Sequence, residues 1–138
     1  MKTKWLNRQI APSLPYLTLC LSQEEFDRVL KYIKYTKEKL PFVTDGYDAK
    51  VYHLNHEDGD KICVVCMKID KTKSIVQHIS LLVHESMHIW REYKESINEN
   101  YPAAEQEAYA VQFISQELIT EYLVRIKHKK LTINGGNK

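Results

Sequence analysis

The sequence predicts a small α+β protein in which a three-stranded sheet packs on three helices, in the order β-α-β-β-α-α. Three observations predict this class. The first is a pair of stretches with strand character, 49–56 and 61–69, that are separated by a turn. The second is helical periodicity that runs without interruption over 73–97, and the third is a second long helix that begins at Pro102. At 138 residues the chain is long enough for a single domain over 1–138 with a real core.

The first strand is expected near 16–21, and the first helix is expected over about 23–37. Ser22 is a suitable N-cap, and Glu25 completes a capping box with it. Pro41 ends the helical pattern. Apolar residues at helical spacing predict one buried side, formed by Phe26, Val29, Leu30, Ile33 and Leu40.

The next two strands are predicted to form a hairpin. Residues 49–56 alternate as a strand, 57–60 have turn composition, and 61–69 form the second arm. Cys63 and Cys66 match Cys-x-x-Cys, but residues i and i+3 of a strand point to opposite faces of the sheet. We therefore expect core cysteines and not a pair of metal ligands.

The helix predicted over 73–97 contains no proline or glycine and carries the most informative motif of the chain. Its core face is marked by side chains at helical spacing: Ile75, Ile79, Leu82, Val83, Ser86, Ile89, Trp90, Tyr93 and Ile97. The sequence His84-Glu85-Ser86-Met87-His88 lies on the flank of this face and has the pattern His-Glu-x-x-His.

Two histidines four residues apart lie on the same face of a helix, one turn from each other, and can bind one Zn²⁺. Glu85 then lies beside the open position of the metal, where a bound water must lose a proton. The motif predicts that His84 and His88 are zinc ligands and that Glu85 is the general base.

A catalytic zinc ion usually has a third protein ligand, and the second long helix offers two carboxylates for it. Glu105 and Glu107 follow Pro102 in the first turns of that helix. Acidic residues there also complement the positive end of the helix dipole, which accounts for one of them. The residues alone leave both Glu105 and Glu107 as candidates.

The motif and the glutamates that follow it resemble the gluzincin arrangement of metallopeptidases. In that family the third ligand lies in Glu-x-x-x-Asp or Glu-x-x-Ala-Asp on the next helix, and Glu105 occupies this position seventeen residues after His88. The resemblance therefore implies Glu105 as the third ligand, with Glu107 as the second choice. Tyr109 stands where the family usually has an aspartate that orients the first histidine.

The chain from about Pro15 to Tyr122 also resembles small zincin-like proteins encoded by tailed bacteriophages. The matching stretches are 15–20, 81–90 and 105–112. The resemblance implies a minimal zincin-like domain and a zinc site, and it implies little about the substrate.

Two functions are compatible with a zincin-like domain that has a zinc site. The first is a zinc-dependent metallohydrolase, most simply a peptidase acting on a protein or peptide, with Glu85 as the general base. The alternative is a catalytically inert zincin-fold binding module that attaches to a host or phage protein. The intact Glu85 favours the enzyme, because a purely structural zinc site needs no general base.

The composition limits which classes of partner and which cellular compartment we expect. The net charge is only +2, so no overall polyanion-binding surface is indicated. We interpret the basic cluster at 125–130 as a solvated helix end and not as a nucleic-acid contact. No signal peptide or membrane span is apparent, so we expect a cytoplasmic protein, in the host cytoplasm if it is phage-encoded. Residues 1–14 are expected to form an N-terminal arm and 129–138 a frayed tail, and the oligomeric state stays open.

Overall fold

The computed structural model describes residues 2–6 and 15–127 of the chain. Most of the predicted N-terminal arm and the whole predicted tail at 129–138 lie outside the described residues. The α+β class and the predicted order of elements are confirmed. The elements are β1 (Tyr16–Cys20), α1 (Gln23–Tyr32), β2 (Ala49–Asn55), β3 (Lys61–Met67), α2 (Ile75–Ser96) and α3 (Ala104–Ile126).

The chain forms two compact units, residues 1–68 and 69–138. The first unit contains the sheet and α1, and the second contains α2 and α3. The assignment of one domain to 1–138 stays a prediction.

The sheet of the first unit has the strand order β1-β3-β2. β1 pairs with β3 in parallel, from Tyr16 opposite Ile62 to Cys20 opposite Cys66, and β2 pairs with β3 in the antiparallel hairpin that the sequence predicts. The central strand β3 is buried from Ile62 to Met67. Burial on both faces explains why this strand is a continuous apolar run and shows no alternation.

One face of the sheet packs against α1 and forms the core of the first unit. Phe26 of α1 stacks on Tyr52 of β2, with 4.9 Å between the ring centroids. The buried residues of this core are Cys20, Phe26, Val29, Ile33, Val43, Tyr52, Ile62, Val64 and Cys66. The predicted buried side of α1 is confirmed at its central positions.

The start of α1 agrees with the predicted cap in one of its two hydrogen bonds. The Ser22 hydroxyl accepts the Glu25 backbone N–H at 3.2 Å. The Glu25 carboxylate, however, accepts the N–H of Leu21 at 2.9 Å, one residue before the position that a capping box requires.

The end of α1 comes five residues earlier than the sequence suggested, at Tyr32 and not at Lys37. Lys34 adopts the left-handed conformation with φ 57°, and the Tyr35 N–H donates to the Leu30 carbonyl at 2.9 Å. These are the features of a Schellman C-cap, which usually contains glycine. Because lysine is not a typical C-cap residue, the sequence does not indicate this helix end, and the predicted helix is longer than the observed one.

The three cysteines are free and buried, as predicted for core residues. Cys66 lies opposite Cys20 on the face covered by α1, and burial raises the pKa of its thiol. The sulfur of Cys63 lies 3.3 Å from Nδ1 of His53, its register partner on β2. Cys63 and Cys66 do not share a face.

The second unit is an antiparallel helical hairpin. The His78 ring near the start of α2 lies 5.6 Å from the Tyr122 ring near the end of α3. At the other end of the hairpin, Trp90 of α2 contacts Glu107 of α3. None of the helices within 2–6 and 15–127 combines the length and apolar character that a bilayer span requires.

Candidate metal centre

The helix that carries the His-Glu-x-x-His motif has a defined start and end. Ser74 and Gln77 form a complete capping box, in which Ser74 Oγ accepts the Gln77 N–H at 3.0 Å and Gln77 Oε1 accepts the Ser74 N–H at 2.7 Å. At the other end Asn98 has φ 59°, and the Glu99 N–H donates to the Lys94 carbonyl at 2.8 Å in a Schellman motif. The motif at 84–88 therefore lies in the middle of a regular helix.

The structure brings the two predicted histidine ligands together. Nε2 of His84 and Nε2 of His88 are 3.2 Å apart, and both side chains are exposed. Two nitrogens bound to one tetrahedral zinc at 2.0–2.1 Å would be about 3.3 Å from each other. The pair therefore fits two adjacent positions of a zinc site.

Glu85 lies on the buried side of the same helix and is only 6% exposed. Burial raises the pKa of its carboxyl group, while the nearby rings of His88 and His84 lower it. A carboxylate held out of water beside two exposed imidazoles is a suitable proton acceptor for a water bound at the pair.

The structure does not add a third ligand to the histidines. Within the part of the chain that the structure describes, no three histidine, cysteine, aspartate or glutamate side chains are placed to hold one metal ion. Glu105 is exposed in the first turn of α3, and Tyr109 is 57% exposed one turn later. The residues present therefore fit two of the three protein ligands that a catalytic zinc usually has.

Glu107, the second choice for the third ligand, already has two partners. Its carboxylate accepts the indole N–H of Trp90 at 2.7 Å and lies 3.4 Å from Nζ of Lys94. The hydrogen bond from Trp90 is the main cause that lowers the pKa of Glu107, and the charge of Lys94 adds to it. The interpretation that one of the two glutamates complements the helix dipole did not predict these side-chain contacts of Glu107.

His78, near the start of α2, has a structural role. The ring is fully buried, Nδ1–H donates to the Ser74 carbonyl at 2.8 Å, and Nε2 accepts the Asp70 N–H at 3.1 Å. Both ring nitrogens are thus used in joining the first turn of α2 to the segment before it. The only available signal was the position of His78 four residues after the N-cap serine.

The basic end of α3 differs from the prediction at Arg125, whereas Lys127 is exposed as expected. Nε of Arg125 lies 3.0 Å from the Glu121 carboxylate, and both side chains are largely buried. Arg125 is therefore part of a buried ion pair and does not belong to a solvated basic surface. The residues from 128 onward lie outside the described part of the chain.

Comparison with known proteins gave no match. No protein family matches the chain, and no curated protein or solved structure is significantly similar to it. The zincin-like assignment stays a prediction from the residues that carry the resemblance.

Proposed function

We propose that the chain is a zinc-dependent hydrolase that cleaves peptide bonds in a protein or peptide. The observation that carries the proposal is the 3.2 Å separation of the His84 and His88 Nε2 atoms on one exposed helix face. Glu85, which follows His84 directly, supplies the carboxyl group of the motif and is only 6% exposed. A cytoplasmic location is part of the same proposal and rests on the sequence alone.

In the proposed hydrolysis, the ion and the residues of the chain have separate roles. Zinc, when bound, supplies a Lewis acid that polarises the substrate carbonyl and lowers the pKa of a bound water to about 7. His84 and His88, whose Nε2 atoms lie 3.2 Å apart, are the residues that would hold the ion. The Glu85 carboxylate accepts the proton of the attacking water and returns it to the leaving amine, a role that requires its ionised form at the start of the cycle.

A specific observation favours the alternative of an inert binding module. No third protein ligand accompanies the histidines among the described residues. A site with two histidines alone could stabilise a surface for a host or phage protein without catalysing hydrolysis. The two functions separate experimentally at Glu85, because only the hydrolase needs its carboxylate.

Replacing Glu85 by glutamine is the test of the hydrolase. The amide keeps the size of the side chain but cannot accept the proton, so hydrolysis of a quenched fluorescent peptide library should fall by roughly 10²–10⁴-fold. Zinc binding, measured by competition with a coloured chelator, should be retained because Glu85 is not a ligand.

Glu92→Gln is the matched control, because Glu92 is an exposed carboxylate on the same helix. This variant should retain both zinc and hydrolysis. If Glu85→Gln cleaves peptides as fast as the unmodified protein, the hydrolase mechanism is wrong. If the zinc-loaded protein cleaves no peptide, and the Glu85→Gln variant binds a host or phage protein as tightly as the unmodified protein does, the function is that of the binding module.

A further inference from the structure

The exposed side of α3 is uncharged between the two ends of the helix. Glu105 in the first turn and Lys127 at the C-cap are exposed, and all exposed residues between them have uncharged side chains. The other charged residues of α3 are partly or fully buried: Glu107, Glu117, Glu121 and Arg125. A helix side that faces only water usually carries charged residues, so this side of α3 has the composition of a contact surface.

Residues at intervals of three or four form one continuous stripe along this side of α3. We name it the α3 stripe, and its members are Glu105, Tyr109, Gln112, Gln116, Thr120, Leu123 and Lys127. The large apolar side chains on the stripe or beside it are strongly exposed, at 57% for Tyr109, 45% for Phe113, 41% for Leu123 and 51% for Val124. Glu107, two residues after Glu105, contacts α2, so the stripe lies on the side of α3 that is turned away from α2.

The spacing of the α3 stripe is symmetric about Gln116. Its other members lie 4, 7 and 11 residues from Gln116 in both directions along the chain. When two copies of the helix lie antiparallel with their Gln116 residues opposite each other, Glu105 of one copy therefore meets Lys127 of the other. The remaining pairs are Tyr109 with Leu123 and Gln112 with Thr120. Opposite charges, apolar groups and hydrogen-bonding groups then meet their own kind of partner, so the stripe is complementary to itself.

We infer that the α3 stripe is the contact surface of a homodimer, in which two α3 helices pack antiparallel across a two-fold axis at Gln116. A two-fold contact uses the same patch on both copies, and this requires a patch that is complementary to itself. A parallel pairing is unfavourable, because it places Glu105 against Glu105. A surface for an unrelated protein needs no symmetry of this kind, so the symmetry of the stripe favours a second copy.

The contact is small, so the dimer should be weak. With a rise of 1.5 Å per residue, the apolar part of the stripe from 109 to 124 is about 22 Å long and one helix wide. Interfaces at the small end of the size range are typical of transient contacts, and we expect a dissociation constant of roughly 10–100 µM. The contact uses α3 alone, so His84 and His88 on α2 stay outside it, and the inference goes beyond the proposed function without depending on zinc.

The first test is sedimentation equilibrium of the full chain without metal. The protein should be a monomer at about 1 µM and mostly a dimer at about 500 µM. Phe113→Glu places two like charges in the apolar part of the contact and should raise the dissociation constant by roughly 10-fold or more. Val76→Glu is the matched control, because Val76 is 53% exposed on α2 and lies outside the stripe. This control should dimerise like the unmodified protein.

A second variant keeps the test valid if Phe113→Glu does not fold. Thr120→Glu changes an exposed residue of the stripe to a better helix former, so the helix itself is not weakened. The added charge lies in the uncharged part of the contact and should raise the dissociation constant by roughly 3- to 10-fold.

A charge exchange tests the pairing of the two ends. Glu105→Lys places a lysine opposite Lys127 at both ends of the contact and should raise the dissociation constant by roughly 2- to 5-fold at low salt. Lys127→Glu should have a similar effect. The double variant restores opposite charges and should dimerise like the unmodified protein. An effect of either residue on the folding of α3 alone predicts no such recovery.

A cross-link tests the position of the two-fold axis. The natural cysteines are free and buried, so a cysteine placed on the stripe is the accessible one. Gln116→Cys should form a disulfide between two copies on oxidation with diamide, because residue 116 lies opposite itself. Gln106→Cys is the control, since Gln106 is exposed on the same helix but lies about 15 Å from the axis along the helix.

Each outcome decides the inference independently of the metal site. Concentration-dependent dimers that are weakened by Phe113→Glu and Thr120→Glu, and that cross-link at 116 and not at 106, support the homodimer. A monomer at every concentration up to about 500 µM overturns it. A dimer that resists both glutamate substitutions, or that cross-links equally at 106 and 116, has its contact elsewhere and also overturns it.

Discussion

The residues of the His-Glu-x-x-His motif differ sharply in their environments. His84 and His88 are exposed, whereas Glu85 is 6% exposed. The histidines are therefore accessible to an ion from solution, and the carboxylate is held where its proton affinity is increased. This division of environment along five consecutive residues supports ligand roles for the histidines and a proton-transfer role for the glutamate.

His78 should contribute to stability and not to metal binding. Replacing it by alanine leaves the Asp70 N–H and the Ser74 carbonyl without their ring partners, so the free energy of unfolding should fall by about 2–4 kcal/mol. His84→Ala is the control on the same helix, and in the absence of metal it should change stability by less than about 0.5 kcal/mol. Urea denaturation of both variants measures the difference, and equal effects would contradict the structural role of His78.

Tyr122 should make the protein sensitive to alkaline pH. Burial raises its pKa to about 12, above the ordinary value of 10.0, and its hydroxyl makes no hydrogen bond with a described residue. The folded state therefore favours the neutral phenol. Stability from this group is complete below pH 10 and is lost as the pH rises from about 10 to about 12.

Tyr122→Phe should remove that part of the alkaline loss. Denaturant unfolding between pH 8 and pH 12 should show a shallower decline for this variant than for the unmodified protein. Tyr109→Phe is the comparison, because Tyr109 is 57% exposed and should keep the steep decline. Parallel curves for Tyr122→Phe and the unmodified protein would contradict the assignment.

At the level of the elements, α2 and α3 differ in how firmly their first turns are fixed. α2 begins with a complete capping box at Ser74 and Gln77. α3 begins after Ala103, which makes no side-chain cap hydrogen bond. The histidine pair therefore lies on a helix with a well-defined start, whereas α3 starts without a side-chain cap and contacts α2 through Glu107.

Ser74→Ala tests the firm start of α2. The substitution removes the acceptor of the Gln77 N–H and should lower the free energy of unfolding by about 0.5–2 kcal/mol. Ser80→Ala is the matched control, since Ser80 is an exposed serine of the same helix whose hydroxyl donates to the Val76 carbonyl. A loss for Ser80→Ala as large as that for Ser74→Ala would contradict the capping role.

For the whole molecule, the sequence predicted what depends on local spacing. The order of elements followed from periodicity, and the proximity of His84 and His88 followed from their separation by one helical turn. The end of α1 was missed because a lysine adopts the left-handed cap position. The partners of Glu107 were missed because they depend on how α3 rotates against α2, which no local pattern of carboxylates specifies.

Every role proposed for the motif depends on zinc binding by the histidine pair, and the stoichiometry of bound zinc measures that binding. Metal analysis of the purified protein after dialysis should find about one zinc per chain. His84→Ala and His88→Ala should each lose it, and His56→Ala, which changes a histidine outside the motif, should keep it. If the unmodified protein contains no zinc and takes up none on reconstitution, the histidine pair is not a zinc site.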